Sequence, residues 1–215
     1  MSLTLQPDKA LIFRVTHVDN LPWILKNGLY CASSPVQDPD FVSIGNQDLI
    51  EKRRGRAIQI PPYGTLGDYV PFYFTPYSPM LYNITTGYNG ITRRTNREIA
   101  ILVSSLHCVQ SVGCRFVFSD RHAYLELAAF SSNLDDLREM VPWKQLQERN
   151  FRRDPENPDN FDQYQAEALI HQHLPPHGLL GLVCYDDDIA ASLQHQISER
   201  SLELKVHARP GWYFR

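Results

Sequence analysis

Only four of the 215 residues are cysteine. Cys31, Cys108, Cys114 and Cys184 show no C-x-x-C spacing and no companion histidine cluster, so neither a zinc framework nor a disulfide scaffold is supported. Reduced thiols of a cytoplasmic protein are the expectation. No apolar run approaches the ~20 residues of a membrane span, and the first residues lack the basic flank and apolar stretch of a secretory signal. Charge of one sign is missing as well. With 21 Lys and Arg against 24 Asp and Glu, no global positive field marks a nucleic-acid binder, and any anion site must be local. A Gly-rich phosphate loop, a G-x-S-x-G elbow and a glycosidase carboxylate pair are also absent, which removes P-loop nucleotide hydrolases, α/β-hydrolases and ordinary glycosidases.

What is present is an ordinary globular composition, 43% apolar and 11% aromatic, in a length that suits one domain over 1–215. The charge is uneven. Residues 51–100 hold seven basic side chains (Lys52, Arg53, Arg54, Arg56, Arg93, Arg94, Arg97) against three acidic ones, a surplus from which a basic surface can be built.

Short apolar or aromatic runs at 10–15, 68–74, 98–104, 115–118, 181–185 and 202–206 predict strands, with Pro71 suggesting an edge or a bulge in the second. Helices are expected from Leu21 to a stop at Gly28, over 46–56, over 134–149 with an interruption at Pro142, and over 188–200. The polar, turn-rich stretch 150–160 reads as an exposed loop, and the apolar residues Ala166, Leu169 and Ile170 behind it fit either a strand or a helix. Many short strands among few helices indicate an α+β fold.

Several groups of residues carry chemistry. Thr16, His17 and Asn20, at the end of the first strand, either bind a ligand or cap the next helix. The Lys52-Arg53-Arg54-Gly55-Arg56 run either grips phosphate or forms a solvated helix face. Tyr69, Phe72, Tyr73, Phe74 and Tyr77 belong to a core or to a stacking platform. Glu167 is a lone carboxylate directly behind a long polar loop, a place where loops deliver substrates to fixed groups. His171 and His173 have no third ligand nearby, so no metal site is expected.

Taken together, RVTHVDNLPWIL from Arg14, YVPFYF from Tyr69, SPML from Ser78 and QAE ending at Glu167 resemble the DarT family of bacterial DNA ADP-ribosyltransferase toxins. The resemblance implies an ADP-ribosyltransferase fold, a split pair of mostly antiparallel sheets with flanking helices around an NAD cleft. It also implies transfer of ADP-ribose from NAD to a base, thymine favoured, in single-stranded DNA, with a macrodomain antitoxin of the DarG type as partner. By motif, Glu167 is similar to the catalytic glutamate and Arg53 to the arginine that aids catalysis and positions NAD, with Arg54 beside it as the alternative match. Arg14, Thr16, His17 and Asn20 resemble the NAD-binding first-strand element, and Tyr73 and Met80 the active-site wall. His122 resembles a histidine near the DNA. Where many members of the family read His-x-Thr-His, this chain has Arg14 in place of the first histidine.

The chemistry is consistent with those roles, because cleaving the nicotinamide–ribose bond develops positive charge on the sugar, and a carboxylate stabilises it. The loop over 150–161 is the expected DNA-recognition element. Arg54, Arg149, Arg152 and Arg153 are to meet phosphates, Phe151, Phe161 and Tyr164 are to stack on bases, and the acidic half of the loop is to face solvent. The alternatives are an ADP-ribosyltransferase acting on protein or RNA, and a nucleic-acid-binding module without turnover.

Overall fold

The structure is a computed structural model that describes residues 4–200 and 202–214. Among the described residues there are ten strands: β1 Leu11–His17, β2 Leu29–Tyr30, β3 Tyr69–Tyr73, β4 Ile99–Ser105, β5 Phe116–Ser119, β6 Phe130–Ser131, β7 Glu167–His171, β8 His173–Leu174, β9 Gly181–Cys184 and β10 Lys205–Ala208. Eight of them form one sheet in the order β10-β9-β4-β1-β3-β7-β5-β6, and β2 and β8 form a separate pair. Every pairing is antiparallel except β9 with β10.

The sheet is split in the middle. β1 aligns with β4 over its whole length, from Leu11–Ser105 to His17–Ile99, and β3 with β7 from Tyr69–His171 to Tyr73–Glu167. Between these halves, β1 and β3 meet through the single residue pair Phe13–Tyr73. The ladder is open beyond it. Pro71 therefore does not mark an outer edge, as its sequence suggests, but lies in the middle of the sheet. The Pro71 carbonyl accepts a 2.8 Å hydrogen bond from the Arg14 guanidinium across the split. In a strand the N–H and C=O of one residue point the same way, so the N–H that proline lacks falls on the opening, where no ladder bond is lost.

The helices follow their local signals. In α1 (Leu21–Asn27) Pro22 occupies the first turn, and Gly28 at φ +82° ends the helix. A Cβ at Gly28 would lie 2.3 Å from the Leu174 carbonyl oxygen, so only glycine lets α1 turn into β2 against β8. In α2 (Gln47–Arg54) Asn46 caps the Leu49 N–H, and in α3 (Pro79–Thr86) Ser78 caps the Leu81 N–H ahead of a first-turn proline. After α4 (Leu106–Ser111), Pro142 breaks the expected 134–149 helix into α5 (Leu137–Met140) and α6 (Trp143–Glu148). The single turn of α7 (Asn160–Gln163) precedes β7, and α8 (Asp187–Glu199) precedes β10.

Most of the apolar core is one cluster spanning both halves of the sheet, with Phe13, Phe72, Phe74 and Phe118 among its fully buried rings. A smaller cluster of Ile58, Leu66, Tyr69, Val117, Ala123 and Leu169 lies under the loops that follow α2 and β5. No helix among the described residues is long and apolar enough to cross a membrane.

Candidate active site

Glu167 is the first residue of β7, and its side chain is fully buried. A buried carboxylate needs partners for both oxygens, and it has them. Oε2 accepts a 2.5 Å hydrogen bond from Arg53 Nη2, and Oε1 accepts the Ala123 N–H at 3.0 Å. His122 Nδ1 lies 3.7 Å from Oε1. The strand start is pinned too, because the Glu167 N–H donates to Ser119 Oγ at 3.1 Å.

Arg53 reaches the acid from the last turn of α2, a helix that buries none of its own residues. Its position thus depends on the ion pair and on the chain that follows it. Burial alone would push the Glu167 carboxyl up. The Arg53 charge, the nearby His122 and the hydrogen bonds from Arg53 and Ala123 outweigh it and hold the group below its ordinary value. Burial likewise opposes the Arg53 charge, yet Glu167 brings the guanidinium to a net rise.

Tyr73 is the cross-strand partner of Glu167. Burial and then the neighbouring carboxylate push its phenol up, so it is a neutral hydrogen-bonding group. Burial drives the His122 imidazole down, against the pull of Glu167 and with the help of Arg53. His122 Nδ1 accepts the Tyr124 N–H at 3.2 Å, which leaves Nε2 as the donor of the neutral ring. Burial and then the like charge of Arg53 bring Arg14 down to about 10, which still leaves it a cation at neutral pH.

Arg14, Arg53, Tyr73 and His122 line a cavity of about 1560 Å³ walled by residues of both β1 and β3, at the split in the sheet. Ordinary small-molecule pockets hold roughly 300–1,000 Å³, so there is room for a dinucleotide and a second substrate. Arg14, Thr16, Tyr73 and Met80 line one part of the wall, and Arg53, Arg54 and His122 another. Phe151, Arg152 and Arg153 line it from the 150–161 loop. Glu167 has no surface of its own in the cavity. It lies behind Arg53, whose remaining guanidinium donors are free of protein hydrogen bonds among the described residues.

The structure does not bring all the predicted residues to the wall. Asn20 is fully buried and spends its amide on the fold: Nδ2 donates to Thr16 Oγ1 and to the Val42 carbonyl, and Oδ1 accepts the Val42 N–H. It ties the 35–45 loop to β1. His17 caps the short 3-10 helix over 18–20 by accepting the Asp19 N–H, and it stands 3.7 Å from Glu98. Neither His17 nor Asn20 is among the residues that line the cavity. Tyr164, expected to stack on a base, is instead a core residue with no exposed surface, and its hydroxyl donates to the Tyr77 carbonyl. Phe151 is half-buried, packed between Tyr82, Tyr164 and Phe214. Arg54 is half exposed and pairs with Glu51 at 3.5 Å, whereas Arg53 takes the buried acid.

One contributor escapes sequence reading: Ala123 acts through its backbone N–H, which no side-chain pattern can reveal. Arg149, expected to meet phosphates, is the left-handed residue that ends α6; it lines the cavity and lays its guanidinium 3.5 Å from the Tyr77 ring centre.

A split antiparallel sheet with a buried acid under an arginine, at the floor of a cavity large enough for a dinucleotide, defines the class as ADP-ribosyltransferases. A family model described as "ssDNA thymidine ADP-ribosyltransferase, DarT" matches residues 13–214, and the chain belongs to that family. A DNA ADP-ribosyl transferase of Escherichia coli O127:H6 is 50% identical over 213 residues, covering 99% of this chain and 97% of the relative. The structure of Thermus sp. 2.9 DarT in complex with ADP-ribosylated ssDNA superposes with a TM-score of 0.85 at 31% identity over the full length of both chains, and the same protein in complex with NAD+ gives 0.79. A Thermosipho africanus relative, 20% identical over 207 residues, is a fusion of a DNA ADP-ribosyl transferase with a DNA ADP-ribosyl glycohydrolase, and this chain spans 49% of it.

Proposed function

We propose that this chain, as one domain over 1–215, transfers ADP-ribose from NAD to thymine in single-stranded DNA and releases nicotinamide, with Glu167 as the catalytic carboxylate and Arg53 as its partner. The observation that carries the reading is the Glu167–Arg53 pair at 2.5 Å beneath the cavity. Held ionised there, Glu167 stabilises the positive charge that develops on the sugar as the nicotinamide leaves. The guanidinium uses Nη2 for the acid and presents its other donors to the cavity, so it can meet an anionic pyrophosphate and the carboxylate together.

Arg14 and Thr16 take the dinucleotide at the split, with Tyr73 and Met80 as the wall. Arg54, His122, Arg152 and Arg153 meet the DNA. A single strand is the fitting substrate, because its bases reach the site without the few kilocalories of unstacking that a duplex demands. Modifying DNA bases makes the chain a toxin, and an antitoxin of the DarG type is its partner. The fused glycohydrolase of the Thermosipho relative supports that pairing. NAD, DNA and four free cysteines together fit the cytoplasm.

The test is Glu167→Gln, incubated with NAD and a thymine-containing oligonucleotide, with mass spectrometry of the DNA and assay of free nicotinamide. Both products are expected to vanish while NAD still binds. Unchanged turnover would overturn the reading.

A further inference from the structure

We propose that Arg56 is a positioning residue that locks the two holders of the Glu167 carboxylate into one frame; the inference rests on the role given to Glu167 above. The two oxygens are held from separate pieces of chain, Oε2 by Arg53 at the end of α2 and Oε1 by the Ala123 N–H in the turn after β5. α2 buries no residue, and the backbone bonds that fix the 122–125 turn, from the Leu125 N–H to the His122 carbonyl and from the His122 N–H to the Asp162 carbonyl, do not reach α2.

Arg56 bridges them. Its N–H donates to the Arg53 carbonyl at 3.0 Å, and its own carbonyl accepts the Leu66 N–H, which fixes its backbone directly behind the catalytic arginine. Its side chain crosses to the other piece, where Nη2 donates at 3.2 Å to both the Leu125 and the Glu126 carbonyls. Nε is buried without a partner among the described residues, which costs desolvation energy, and the Leu125 and Glu126 carbonyls are the guanidinium's hydrogen-bond partners among those residues. Leu125 and Glu126 end the same turn that presents His122 and the Ala123 N–H to Glu167. Arg56 therefore sets the distance between Arg53 and Ala123, and with it the simultaneous grip on both oxygens.

Loosening the turn weakens the Ala123 bond to Oε1, one of the contacts that keep the carboxyl low, so the acid becomes easier to protonate. The experiment compares the parent, Arg56→Ala and Arg56→Lys. The readouts are kcat and KM for NAD, the acid limb of kcat/KM, and amide hydrogen exchange over 122–126. Expected for Arg56→Ala is a fall in kcat of about 10- to 100-fold with KM nearly constant. Its acid limb moves up by about one pH unit and Ala123 loses exchange protection. Lysine keeps the charge but lacks the fork, so it restores part of each change, and it reports on the idea even if the alanine variant does not fold.

A parental acid limb and parental Ala123 protection in the lysine variant, or in a folded alanine variant, would overturn the inference. Glu167→Gln runs beside them. If it is inactive while the Arg56 variants behave as the parent, the positioning role alone fails; if it is active, the assignment of Glu167 fails and the positioning role with it.

Discussion

Arg53→Ala tests the central pair through stability as well as turnover. The truncation leaves a fully buried carboxylate with the Ala123 N–H and the nearby imidazole, but without its counter-charge. Removing one partner of a buried ion pair costs about 3–5 kcal/mol. Arg53 is 15% exposed and borders the cavity, so water enters the space it vacates, and the lower end, about 3 kcal/mol, applies. For a chain of 215 residues, a change of that size lowers Tm by roughly 6–12 °C. The Glu167 pKa rises at the same time, because burial is no longer outweighed. Thermal and urea unfolding of the parent, Arg53→Ala, Glu167→Gln and the double variant form a cycle that isolates the pair. Glu167→Gln alone is expected to cost little, since Arg53 can turn toward the cavity, and the double variant to recover about 2 kcal/mol of what Arg53→Ala loses. An Arg53→Ala protein as stable as the parent, or a double variant no more stable than Arg53→Ala, would show that the buried carboxylate does not depend on this guanidinium.

Arg152→Ala with Arg153→Ala, leaving the packed Phe151 in place, is expected to weaken single-stranded DNA binding equally across sequences. The slope of log K against log salt should flatten by about 1.4 for two lost phosphate contacts, and a parental slope in a filter-binding titration would remove both residues from the DNA interface. Glu98 gives a pH prediction, because the Thr95 N–H and hydroxyl and then Arg94 hold its carboxyl down at about 2. A depressed folded value means that its stabilisation is full above the ordinary value of 4.5 and is lost as pH falls toward 2. The Tm gap between the parent and Glu98→Gln should close over that range, and a gap independent of pH would contradict the cap.

The local elements and the chemistry at hand are written in short stretches of the chain. Pro22 and Gly28 bound α1, Asn46 and Ser78 cap their helices, and Pro142 cuts one expected helix into two, because each acts within a turn of its own position. The YVPFYF and QAE strings carried the family, and the lone Glu167 behind a polar loop was legible as a candidate acid. What lies between elements depends on how they pack. Pro71 reads as an edge residue until the opening between β1 and β3 is seen to take its missing N–H. Arg53 and Arg54 are equivalent in a string of basic residues, and only the turn of α2 toward β7 gives the acid to one and solvent to the other. Asn20 and Tyr164 look like ligand-binding side chains locally, but the fold closes over both. The Ala123 N–H and the reach of Arg56 were invisible because backbone donors and contacts across about 70 residues leave no trace in spacing.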